Sequence, residues 1–103
     1  ATVKEIMKLW EGRYKNPLDH GALVGWCAVW ALIQAIERAQ TFDTTEVVKA
    51  WEAMKSIETP WGTGSLGGAQ TFGINHMVLA PYAISRLQNG KVDSTRWYKS
   101  VIP

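Results

Sequence analysis

The stretch from Asp19 to Ala39 constrains this chain most, because it reads as a capped helix that is apolar on nearly every side. From Gly21 to Ile36 there is no charge. Gly21, Gly25, Ala28, Ala31 and Ala35 recur at spacings of three and four and make a face without bulk, which another backbone can approach closely. Leu23, Trp26, Cys27, Trp30 and Ile33 occupy the opposite side. Such a helix is stable only where something covers most of its circumference, so the chain is expected to be part of a larger protein or one half of an assembly. The uncharged run contains Gln34 and falls short of the ~20 apolar residues that span a bilayer, which argues against a membrane helix. Residue 1 is alanine, which reads as a chain processed or cut from something longer.

Composition narrows the function classes. Charged residues make up 19% of the 103, below the ~25% usual in soluble domains, so the surface is thinly charged. Eleven basic against nine acidic residues give a net charge of +2, too small and too dispersed for the footprint of a nucleic-acid binder. The single cysteine, Cys27, excludes an internal disulfide and reads as a small buried hydrophobe within the helix. Six tryptophans imply that some line a cleft or an interface, since Trp joins a large contact area to a polar handle.

Local signals place three helices. Thr2-Val3-Lys4-Glu5 is a capping box, followed by Ile6, Met7 and Trp10 at helical spacing, and Gly12 is placed to end a first helix over about 3–11. Asp19 caps the second helix, whose last turn carries Glu37 and Arg38. Asp43-Thr44-Thr45-Glu46 opens the third, with Val47, Val48, Trp51 and Met54 as its buried stripe. The character changes at Thr59-Pro60, after which glycines crowd a stretch that reads as loop or short irregular strand. Met77 to Leu87 reads as an edge strand because Pro81 lacks an amide donor. Asn89-Gly90 makes a tight turn, from which Lys91-Val92 returns antiparallel. The tail Arg96-Trp97-Tyr98-Lys99 gives no structural signal and is expected to pack onto the body.

Catalytic and metal chemistry find little support in these residues. Gly62-Thr63-Gly64-Ser65-Leu66-Gly67 spells G-x-G-x-x-G, but a helix precedes it and loop follows, whereas a phosphate cradle needs a strand before and a helix after. It reads as a flexible connector. His20, His76 and Cys27 have no metal-site spacing, and His76 is expected to hydrogen-bond nearby backbone. Glu5, Glu11, Glu37, Glu46 and Glu52 are scattered on helix faces without a pairing that would tune one for acid or base work. No catalytic residue, metal or cofactor is therefore assigned.

The elements in order resemble the C-terminal portion of a type I periplasmic solute-binding protein, of the branched-chain amino-acid-binding family that serves ABC transporters. The matching pieces are Trp10 and Tyr14, Gly25-Trp26-Cys27-Ala28, Ala35-Ile36-Glu37-Arg38-Ala39, Asp43 to Val47, Thr59-Pro60-Trp61-Gly62, Asn75-His76 and Asn89-Gly90-Lys91. Trp26 and Cys27 depart from the tyrosine and aspartate usual there, which removes polar ligand contacts from this helix. The resemblance implies an α/β fragment of a two-lobed fold, with ligand held between lobes that lie mostly outside this chain. Residues 1–58 are the helical part of one lobe, 59–76 a Gly-rich crossover loop, and 77–103 a C-terminal strand pair and tail.

By the same resemblance Trp26, Trp61 and Gly25 are the expected ligand-binding residues. The complete protein would bind an amino acid or small organic acid in the periplasm and pass it to the permease of an ABC transporter. By itself the chain is expected to form a homo-oligomer through its uncovered apolar helix. The alternative is a self-contained α+β interaction module that dimerises by that same surface.

Overall fold

The computed structural model describes residues 2–102. The chain is mixed helix and strand, in the order α1 (Val3–Tyr14), α2 (His20–Ala39), α3 (Thr44–Ala53), β1 (Ile57–Thr59), β2 (Gly62–Gly67), α4 (Ala69–Phe72), β3 (Met77–Leu79), β4 (Tyr82–Gln88) and β5 (Lys91–Tyr98). All three expected caps form. Thr2 and Glu5 exchange capping-box hydrogen bonds, the Asp19 carboxylate accepts from the Ala22 amide at 2.7 Å, and the Asp43 carboxylate accepts from the Glu46 amide at 3.1 Å. The first helix does not stop at Gly12. It continues to Tyr14 and closes on Lys15 in the left-handed conformation, whose amide donates to the Glu11 carbonyl, because a cap is decided by the residue that takes positive φ and not by the first glycine available.

The core is small and sits where α2 meets α3 and β1. Ala31, Ala35, Met54 and Ile57 are buried together, with Val47, Trp51, Leu66 and Val78 packed against them. The small-residue face of α2 is thus what α3 and β1 approach, at its C-terminal half. Gln34 locks the junction, its Oε1 accepting from the Glu58 amide at 2.8 Å and its Nε2 donating to the Glu58 carbonyl at 2.9 Å. Arg38 donates to the Ser56 carbonyl at 3.4 Å. The other half of α2 is not covered as the sequence led us to expect: Trp26, Val29, Leu32 and Ile33 are all exposed, and Cys27 is only half-buried. At 20 residues α2 is also longer than its uncharged run, with the length and mean hydropathy (1.3) of a membrane-crossing helix. Its C-terminal half is nonetheless committed to protein contacts.

Two antiparallel sheets follow. The first has the order β1-β2-β3, and the second is the β4-β5 ribbon. The glycine-rich run read as a flexible crossover is the central strand β2, paired on one side with β1 and on the other with β3. Glycine is needed there for close approach: a Cβ on Gly64 would lie 2.5 Å from the Leu79 carbonyl oxygen. The single strand expected over 77–87 is two strands, broken at Ala80-Pro81, where proline cannot donate to a ladder. Asn89 and Gly90 both take positive φ (52° and 74°) in a two-residue turn, as expected. β5 runs on through Arg96, Trp97 and Tyr98, so this part of the tail is strand and not weakly structured.

Candidate functional site

Two concave surfaces contain the residues singled out from sequence, one each. The first is an apolar groove of about 500 Å³ along α2, lined by Gly25, Trp26, Val29, Trp30 and Ile33 and closed by Trp10 of α1. A second hollow of about 510 Å³ adjoins it across Trp10 and Trp26 and reaches Leu9, Arg13 and Tyr14. Trp10 and Tyr14 stack at 4.4 Å between ring centroids, and the Arg13 guanidinium lies 5.6 Å from the Tyr14 ring. The α2 wall carries no charge and no polar side chain. The buried Trp10 Nε1 has no hydrogen-bond partner among the described residues, an orphan donor of a kind that costs ~1–3 kcal/mol. These features describe a surface that takes another apolar face, since nothing in it would orient a small polar solute.

The second surface is a cleft of about 470 Å³ between the helical body and the ribbon. Trp61 reaches it from the tip of the two-residue turn joining β1 to β2. That turn is held by the buried Thr59, whose hydroxyl donates to the Gly62 carbonyl at 2.6 Å and accepts from the Trp61 amide at 3.3 Å. His20 enters as the first residue of α2, Pro81 and Tyr82 from the start of β4, and Trp97 from β5. Ser100 completes the wall and ties the chain after β5 to the β3-β4 link by donating to the Ala80 carbonyl. Tyr82 stacks on Tyr98 across the ribbon at 5.6 Å.

Trp26 and Trp61 therefore do not share a site, and Gly25 lies with Trp26. Sequence reasoning missed His20, Tyr82 and Trp97. The last carried a signal, since Lys91 to Tyr98 contains β-branched and aromatic residues suited to a strand, and a strand there sets Trp97 opposite Ala83. His20 and Tyr82 carried none, because only the tertiary fold brings residues 20, 61, 82 and 97 together.

Elsewhere the chemistry is sparse. His76 Nε2 lies 2.8 Å from Glu52 Oε1, a side-chain partner on α3 in place of the backbone contact expected. Burial pushes the Cys27 thiol pKa up, which lowers its nucleophilicity. Among the described residues no group of three His, Cys, Asp or Glu could hold a metal ion. No protein-family model, curated protein or solved structure matches this chain.

Proposed function

We propose that this chain is the C-terminal portion of the solute-binding component of an ABC transporter, of the branched-chain amino-acid-binding type. In the complete protein it would help hold an amino acid or small organic acid in the periplasm for delivery to the permease. The observation that carries this reading is how incomplete the chain is as a body. Its radius of gyration is 16.0 Å, against about 13 Å for a compact chain of this length. It is only 17 Å thick along its shortest axis. It exposes 7700 Å², where a compact monomer of its mass exposes ~5,800 Å². The surplus is concentrated on the α1-α2 groove and on a ribbon exposed on both faces, the surfaces that the rest of two lobes would cover. The element order, three helices and then strands ending in a turn-linked pair, also agrees with that portion of the family.

The reading frame upstream of Ala1 tests this directly. Further α/β sequence of two-lobe length supports it, and an initiator codon immediately before Ala1 overturns it in favour of a self-contained module. Calorimetric titration of the complete polypeptide with amino acids and small organic acids should give saturable heat for at least one. Silence across the panel would count against solute binding.

A further inference from the structure

The geometry points to an aromatic carboxylate as the solute of the Trp61 cleft, an assignment that rests on the solute-binding reading above and narrows it to one chemical class. The cleft's volume, about 470 Å³, is within the ~300–1,000 Å³ of small-molecule sites. Its walls are supplied by Trp61, Pro81, Tyr82 and Trp97, from two separate hairpins, so flat apolar surface meets the cavity from more than one side. A planar ring uses such walls better than a branched aliphatic chain does, because aromatic faces and edges have preferred stacking and edge-to-face geometries.

The polar groups decide the other end of the solute. No carboxylate, ammonium or guanidinium lines the cleft. The ring nitrogens of His20, the Tyr82 hydroxyl and the indole N–H groups of Trp61 and Trp97 make no hydrogen bond within the described residues, whereas the Ser100 hydroxyl already donates to Ala80. The cleft thus offers donors in excess of acceptors, and the group that matches is an acceptor-only one such as a carboxylate. Asp19, the nearest carboxylate in sequence to His20, is engaged with the Ala22 amide. The α1-α2 groove lacks this asymmetry, having apolar walls throughout along α2.

The test uses the chain itself with phenylacetate, cyclohexylacetate and phenylacetamide, followed through the His20 ring and tryptophan indole resonances. Phenylacetate should give saturable shifts at His20, Trp61 and Trp97. Cyclohexylacetate, with the same charge and no aromatic face, and phenylacetamide, with the ring and no charge, should each bind about tenfold more weakly, a factor of ten corresponding to ~1.4 kcal/mol. Trp61→Leu should abolish the preference for the ring, Trp61→Phe should retain it, and Phe42→Leu, at an exposed position outside the cleft, should change nothing. Equal binding of the saturated acid or of the amide, or shifts confined to Trp26 and Trp30, would overturn the assignment. If the complete polypeptide takes aliphatic amino acids but no aromatic acid, the aromatic class falls while solute binding stands. If it takes neither, both fall.

Discussion

Gly64 and Glu5 illustrate two residues whose roles depend on different ranges of interaction. Glu5 acts within one turn: its carboxylate accepts from the Thr2 amide at 2.6 Å, and the Thr2 amide and hydroxyl hold its pKa below the ordinary 4.5. A carboxyl whose folded pKa is depressed contributes stability above its unfolded value and loses it as pH falls through the folded one. Helicity read by circular dichroism should therefore drop on acidification below pH 4.5, and Glu5→Gln should remove that component of the titration. Gly64 acts across a sheet. Because a Cβ there would lie 2.5 Å from the Leu79 carbonyl oxygen, Gly64→Ala must spread β2 from β3 and should cost about 1–3 kcal/mol in thermal unfolding. The capping box was legible in the sequence because donor and acceptor are three residues apart. The glycine's role was not, because its reason is fifteen residues away on another strand.

At the scale of elements, α2 and the ribbon are held in unequal ways. Gln34 meets the Glu58 amide and carbonyl at 2.8 and 2.9 Å, joining helix to sheet through a residue the hydropathy pattern marks only as an interruption. Gln34→Ala should destabilise the α2-β1 junction by about 1–2 kcal/mol, visible as a lower unfolding midpoint with the helix caps intact. The β4-β5 ribbon is pinned by its turn, since Gly90 sits at φ 74°. Gly90→Ala should cost about 1–2 kcal/mol and loosen the ribbon first, measured as faster amide exchange at Ile84 and Thr95 than in the core. The turn could be read from Asn-Gly alone. That β3 leaves the ribbon and pairs with β2 could not, because a continuous apolar run does not say which neighbour each half will find.

At the scale of the whole molecule, surplus apolar surface governs behaviour. A ribbon of two strands exposed along its length is marginal in water without a third element against it. The α1-α2 groove is likewise uncovered, with Val29 60% and Ile33 45% exposed. Association of two chains that buries a standard interface of ~1,600 Å² would remove much of this surface from water. At micromolar concentration, light scattering should report at least twice the 11.5 kDa of one chain, with an unfolding midpoint that rises with concentration. A cooperative monomer whose unfolding ignores concentration would show that the exposed faces are tolerated. The sequence alone determined the starts of the three long helices, the Asn89-Gly90 turn and the excess of apolar surface on α2, because each is set by residues within a few positions of one another or by composition along one face. Only the tertiary structure decided that glycine-rich β2 is a central strand, that Trp26 and Trp61 serve different surfaces, and that His20, Trp61, Tyr82 and Trp97 share a cleft. Those outcomes depend on pairings between distant segments, and the free energy of such a pairing belongs to both partners and is written in neither.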